Sequence, residues 1–277
     1  MEPGPAPDYL LPNDPHELRR LERQGAMLRA PSSLILRQAG VGAGMRVLDL
    51  GTGIGELAFL AAELVGPDGE VVGVDQSAAA LELAGERAAA RGLRNVSFEL
   101  GDVRGWEAPC TFDAVVGRLV LLYVPDPAAV IRRHAATLRP GGIYVAMEYD
   151  MVPTRSVPPT PTAMVAVGWL RRAFETGGVD VALGARLGTV LTAAGLESPT
   201  VLGLQPYLPP ESPLGPQNLA GIVRSLLPLM ERAGIATRAE VDPDTLEERL
   251  AAELRAYDAV LAPPTLVGAW ARHGYTH

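Results

Sequence analysis

Apolar positions follow two rhythms along this chain. Between Met45 and Asp150, short apolar runs alternate with longer stretches in which apolar residues recur at helical spacing. MRVLDL (45–50) reads as a buried strand, and ELAFLAAELV (56–65) as the helix that follows a glycine turn. EVVGVD (70–75) is a second strand. Ser77 then caps the helix AAALELAGERAAARG, which ends at Gly92. NVSFEL (95–100) and FDAVVG (112–117) are the third and fourth strands. The helix PAAVIRRHAATL follows Asp126 and stops at Arg139-Pro-Gly-Gly, and GIYVAMEYD (142–150) is the fifth strand. Strand–helix alternation at this spacing predicts a parallel sheet with helices on both faces.

Outside this segment the rhythm loosens. Residues 1–12 are proline-rich and read as extended. A helix is expected to start at Asn13 or Asp14, with Pro15 in its first turn, and to run to about Arg29; a second begins after Pro31. Beyond Asp150 comes a proline-rich connection, MVPTRSVPPTP. Helices at 161–176 and 183–194, a strand in SPTVLGLQPYL, a long helical stretch over 217–257 and a final strand, TLVGAWAR (265–272), follow. The helical stretch between two strands is too long for a loop and reads as an inserted cap. The expected division is an N-terminal helical lid at 1–40, an α/β core at 41–210, a helical cap at 211–260, and the last core strand with the tail at 261–277. Lid and cap are expected to cover the carboxyl edge of the sheet.

Composition narrows the function. Of 277 residues, 48% are hydrophobic and 20% charged, a globular balance. The net charge of −8 lacks the basic footprint of a nucleic-acid binder. Cys110 is the single cysteine, which excludes an intrachain disulfide and a cysteine-rich zinc site; no metal is expected. The N-terminus does not read as a signal peptide, and there is no apolar run of about 18 residues, so a cytoplasmic protein is expected. The expected partner is a small-molecule substrate, with no nucleic acid and no membrane; a homodimer is left open.

The candidate chemistry begins at VLDLGTGIGELA (47–58). A strand, a tight glycine turn and a helix form a ligand cradle. The spacing Gly51-x-Gly53-x-Gly55 misses the dinucleotide fingerprint, whose last glycine is replaced by Glu56. Asp75 ends the second strand, where an acid accepts ribose hydroxyls. Asp102 follows the third strand, where it can accept an exocyclic amine. Asp49 sits beside the turn. Acids here suit a cationic ligand better than a pyrophosphate.

With these residues the chain resembles the class I S-adenosylmethionine-dependent methyltransferases. The matching stretches are VLDLGTGIG (47–55), VVGVDQS (71–77), FELGDV (98–103), FDAVVGRLVLLYVPDP (112–127) and LRPGGIYVAMEYD (138–150). The resemblance implies a Rossmann-like, doubly wound, mostly parallel seven-stranded sheet with an antiparallel last strand, plus N-terminal helices and a helical cap. It implies S-adenosylmethionine as cofactor and methyl transfer to a small organic acceptor of secondary metabolism. Gly51, Gly53 and Gly55 would pass under the methionine and ribose, with Asp49 and Thr52 polarising that loop or touching the amino-acid end. Asp75 would hold the ribose, Gln76 would lie along the adenine, and Asp102 and Val103 would meet its edge. Gly117 and Arg118 would lie by the sulfonium, and Gln24 would help close the pocket.

Base candidates are few. Glu148, ahead of Tyr149 and Asp150, ends the fifth strand; on alternation it faces the pocket, or else it makes structural hydrogen bonds only. Arg118 is either a ligand group or a surface arginine. His134 reads as a solvated helix position, His16 as polar surface, and His273 and His277 as tail residues. Tyr9 and Tyr123 read as packing residues. The stretch GRLVLLY after the fourth strand lacks the Asn-Pro-Pro-Tyr of amino-methylating nucleic-acid enzymes, and no paired acids resemble a magnesium site. A methyltransferase-fold cyclase and a non-catalytic cofactor-binding regulator are the alternative readings.

Overall fold

The computed structural model describes residues 15–274, with side chains from residue 21 onward. Asn13, Asp14, Tyr9, His277 and the side chain of His16, all named above, lie outside the described residues. In chain order the elements are α1 (Pro15–Ala39), β1 (Arg46–Leu50), α2 (Glu56–Val65), β2 (Glu70–Asp75), α3 (Ala78–Ala90), β3 (Val96–Leu100) and β4 (Phe112–Arg118). They continue with α4 (Pro127–Ala135), β5 (Leu138–Asp150), β6 (Arg155–Val157), α5 (Pro161–Thr176), α6 (Leu183–Ala193) and β7 (Thr200–Leu204). The last are α7 (Leu214–Arg232), α8 (Arg238–Val241), α9 (Leu246–Ala256), β8 (Val260–Ala262) and β9 (Thr265–Arg272).

The described chain divides into two compact units. An α/β unit comprises, of the described residues, Gly25–Glu148, Gly184–Gly203 and 266–274. A helical unit comprises, of the described residues, 15–24, Tyr149–Leu183 and Leu204–Thr265. The expected boundaries differ from this grouping, because they assign Tyr149–Leu183 to the core.

The sheet of the α/β unit has seven strands in the order β3-β2-β1-β4-β5-β9-β7. β1 pairs in parallel with both β2 and β4, β2 with β3, and β4 with β5. His273, just past β9, exchanges backbone hydrogen bonds with Gly141 and Gly142 near the start of β5. The last strand is therefore antiparallel, and it lies second from the edge. Strand order reverses at β1, between β2 and β4, and the carboxyl edge at such a reversal is where ligands of open α/β sheets bind. Val47, Leu48 and Leu50 in β1 and Ala114, Val115 and Val116 in β4 are buried, as strands covered on both faces require.

α1 differs from the expectation of two helices. It runs unbroken through Pro31. A proline forfeits one helical hydrogen bond, and here one continuous face compensates: Gly25, Leu28, Ser32, Ile35, Leu36 and Ala39 are all buried. An ion pair between Arg29 and Glu63 adds an exposed tie to α2.

In the helical unit, α7 packs against α5 and α9. Ala163, Ala166 and Ala173 are fully buried on α5, small residues that allow close helix approach, and Val223, Leu226 and Met230 are fully buried on α7. The expected single stretch over 217–257 is three helices. Gly234, at φ +64°, ends α7, and Thr237 and Glu240 form a capping box that restarts the chain. β6 and β8, unforeseen in the sequence, pair antiparallel with Ser156 opposite Leu261.

Candidate cofactor site

The α/β unit gathers most of the sequence candidates at the carboxyl ends of β1, β2 and β4. Gly51, Gly53 and Gly55 all have positive φ, at 64°, 52° and 85°. The loop they form is a left-handed passage that other residues adopt only with strain. It is anchored on three sides. The Gly53 N–H donates to Asp75 Oδ2 at 2.8 Å, the Thr52 N–H to the Val74 carbonyl at 3.0 Å, and Thr52 Oγ1 to Asp49 Oδ2 at 2.7 Å. Asp75 Oδ1 takes the Ser77 N–H at 2.9 Å, and Ser77 caps α3 as expected. Gln76 is exposed beside it.

Asp49 is buried, 1% exposed, and its Oδ1 lacks a hydrogen-bond partner of normal geometry. Burial pushes its pKa up to about 7, against the opposing pull of the Thr52 hydrogen bond and the Arg118 charge. Arg118 Nη1 donates to Ser32 Oγ on α1 at 3.0 Å. The arginine thus joins β4 to α1 and supplies positive charge near Asp49.

Beyond Arg118 the chain bends through Leu119, which has a positive φ of 57°, a costly conformation for a branched residue. Val120 then packs where the loops meet: a Cβ on Gly51 would lie 2.5 Å from Val120 Cγ2, and one on Gly117 would lie 3.1 Å from Val120 Cγ1. Glu148 holds this bend. Its Oε1 accepts the Val120 N–H at 3.0 Å and the Leu121 N–H at 2.7 Å, while Oε2 is buried and unpaired. Burial raises the Glu148 pKa to about 8, opposed in part by these backbone donors. Of the two roles open to Glu148, Oε1 has the structural one.

The loop after β3 carries Asp102 and Val103. The Asp102 carboxylate takes the Arg104 N–H at 2.9 Å and Arg104 Nε at 2.9 and 3.0 Å, and this pairing lowers its pKa. Val103 is buried, and its carbonyl accepts a hydrogen bond from His134 Nε2 at 2.7 Å. His134 is fully buried on α4, which corrects the expectation of a solvated position. The signal was present in the spacing: Val130, Ile131, His134 and Ala135 form one buried helical face. Gln24 groups with a different partner set. Its Nε2 lies 3.5 Å from Tyr149 Oη, and both residues group with the helical unit. Among the described residues no cluster of His, Cys, Asp and Glu could hold a metal ion, and no helix is long and apolar enough to cross a membrane.

The segment that carries this site has relatives among known proteins. A family model described as a methyltransferase domain matches residues 42–167, from the turn before β1 into α5. The match is confined to this segment, a little under half of the chain. The aklanonic acid methyltransferase DauC of Streptomyces sp. (strain C5) is 35% identical over 130 residues, which cover 44% of this chain and 59% of that protein. The nocamycin O-methyltransferase of Saccharothrix syringae is 42% identical over 100 residues, 36% of either chain. The match to these relatives therefore spans only part of their length and is confined to part of this chain. A solved structure of phosphoethanolamine N-methyltransferase 2 from Haemonchus contortus, with phosphomonomethylethanolamine and S-adenosylhomocysteine, superposes with a TM-score of 0.55 at 20% identity. It covers 88% of this chain and 52% of that one, which shows the shared fold.

Proposed function

We propose that this chain transfers a methyl group from S-adenosylmethionine to a small organic acceptor of secondary metabolism. The observation that carries the reading is the left-handed glycine loop held between two acids, Asp49 beside it and Asp75 on Gly53, at the strand-order reversal. Side-chain-free backbone lets a ligand approach closely, and carboxylates suit ribose hydroxyls and a positively charged sulfonium and ammonium. The residues present thus fit the cofactor, which when bound supplies a methyl already activated by positive sulfur. Gly51, Thr52, Gly53 and Gly55 would carry its methionine and ribose portion, with Asp75 on the ribose. Gln76, Asp102 and Val103 would meet the adenine, and Gly117 and Arg118 the sulfonium side.

The chain's own task is to align the acceptor with the methyl group and to exclude water. A carboxyl held protonated up to about pH 8 is a poor general base at neutral pH, so in this reading Glu148 acts by fixing Val120 and Leu121. Acceptor recognition falls to the helical unit, whose α5, α7 and α9 take no part in the cofactor loop. The named activities of the aklanonic acid and nocamycin enzymes support a small acceptor, and the net charge of −8 has the wrong sign for a nucleic-acid partner; a cytoplasmic location is part of the same reading. Calorimetry with S-adenosylhomocysteine tests the cofactor, and release of that product from S-adenosylmethionine across a panel of small organic acids and phenols tests the reaction. Binding of NAD in place of S-adenosylhomocysteine would overturn the reading.

A further inference from the structure

His134 has a geometry that packing alone does not explain. Its ring is fully buried and stacks on Trp106, with centroids 6.2 Å apart and planes 29° from parallel. A carbonyl oxygen can only accept, so the 2.7 Å contact with Val103 makes Nε2 the donor. In the neutral ring Nδ1 then carries the lone pair, and it is buried without a partner. Leaving such an atom unsatisfied is costly, and a leucine would fill the space without that cost. The donor at Nε2 is what the site retains.

The acceptor of that hydrogen bond belongs to a peptide unit held at both ends. The Val103 carbonyl and the Arg104 N–H share one plane. His134 holds the carbonyl, and Asp102 Oδ1 holds the N–H at 2.9 Å. Trp106 closes the same turn, its N–H donating to the Asp102 carbonyl at 2.7 Å. Gly101 leaves room for the indole, since a Cβ there would lie 2.4 Å from Trp106 Cδ1. Fixing the peptide plane fixes the direction from which the Asp102 carboxylate is held. We infer that His134 is a positioning residue for the adenine-reading carboxylate of Asp102, acting through the Val103–Arg104 peptide. This inference rests on the cofactor reading above and adds to it a group on α4.

The test compares the full chain with its His134→Leu and His134→Gln variants. The probes are S-adenosylhomocysteine and S-inosylhomocysteine, which carries oxygen in place of the adenine amino group. The wild type should prefer the adenosyl probe. His134→Leu should weaken adenosyl binding about tenfold and barely change inosyl binding, so that the preference narrows. KM for S-adenosylmethionine should rise far more than kcat falls, and His134→Gln, which keeps a donor near the Nε2 position, should recover much of the preference. An unchanged preference in a less stable His134→Leu variant would reduce His134 to packing and overturn the inference alone. A wild type that binds neither probe would overturn the cofactor reading as well. Should His134→Leu fail to fold, nitrogen NMR of the wild-type imidazoles decides: a neutral Nε2–H form of the buried ring supports the inference, and an Nδ1–H form sinks it.

Discussion

The two units bury polar groups in different ways. The α/β unit buries Asp49, His134 and Glu148, and each keeps one polar atom without a normal hydrogen bond. In the helical unit, among the described residues, no Asp, Glu or His is buried as a whole residue, although Asp180 buries one carboxylate oxygen; Ser156 and Thr160 are buried, and they hydrogen-bond to each other, with the Thr160 N–H also on Ser156 Oγ at 2.8 Å. Buried ionisable groups with an unfilled valence weaken a fold, and natural proteins retain them mainly where ligands or strained loops need them. Those of the α/β unit stand beside the glycine loop, under the Val120 bend and behind the Val103 loop. Substitutions at these groups should therefore act on cofactor affinity and pH response, and those at the helical unit's packing and capping residues on stability without changing cofactor affinity.

The largest effect expected from a single substitution in the loop is at Gly51. Gly51→Ala and Gly53→Ala share the same left-handed strain, about 1–2 kcal/mol each. They differ in what a Cβ meets: Val120 at 2.5 Å for Gly51, and nothing within 4 Å for Gly53. Val120 cannot withdraw freely, because Glu148 holds its N–H. Gly51→Ala should therefore lose about 1–3 kcal/mol more than Gly53→Ala in chemical denaturation, and should bind S-adenosylhomocysteine more weakly. Equal losses in the two variants would remove Val120 from the account.

Much of the α/β unit was legible in the sequence because its segments are long, periodic and punctuated. ELAFLAAELV, EVVGVD and TLVGAWAR match α2, β2 and β9 residue for residue. Other features were not, each for its own reason. Pro31 reads as a break, yet the buried face from Gly25 to Ala39 carries the helix across it. β6 and β8 have three residues each, too few for a period to show. Alternation could not settle Glu148, because β5 is buried on both faces from Ile143 onward. The bond from His134 to Val103 is a tertiary fact with no spacing signature of its own, and the pairing of Asp102 with Arg104 depends on the local turn of that loop.

Next in size is a pH response centred on the α/β unit, which holds the two strongly raised carboxyls. The Glu148 pKa is raised from 4.5 to about 8, and that of Asp49 from 3.8 to about 7. An acid whose folded value is raised contributes stability that is complete below its unfolded value and is lost as pH rises through its folded value. Thermal stability should therefore decline from about pH 5 to 8. Glu148→Gln, neutral at every pH, should flatten the upper part of that decline. A variant with the wild-type slope would show that Glu148 is already ionised in the folded protein. His134 has the opposite sign: burial lowers its pKa, so its contribution is present above about pH 6.5 and is lost as pH falls through the lowered value.

Asp75→Ala follows. It removes the acceptor of the Gly53 and Ser77 N–H groups and the proposed ribose ligand. S-adenosylhomocysteine affinity should fall by about 1–3 kcal/mol in a chain that still folds. Unchanged affinity by calorimetry would detach Asp75 from the ribose and leave it as a loop anchor.

The smallest effect tests the other side of the comparison. Glu253 on α9 accepts the Thr162 N–H at the first turn of α5, with Oε2 at 2.8 Å, and so caps one helix of the helical unit from another. The first N–H groups of a helix have no intrahelical partner, and a carboxylate there also meets the positive end of the helix dipole. Thr160, which precedes α5, makes no side-chain capping hydrogen bond of its own, so the cap rests on Glu253. Glu253→Ala should lower stability by about 1 kcal/mol, the usual cost of a lost cap. It should leave S-adenosylhomocysteine affinity at the wild-type value, because the proposed cofactor contacts to the glycine loop, Asp75 and Asp102 lie in the other unit. Glu253→Gln should recover part of the loss, since the amide oxygen accepts the same N–H without the charge. A fall in cofactor affinity matching the fall in stability would show that the two units do not separate energetically, and would remove the division of labour on which the acceptor proposal depends.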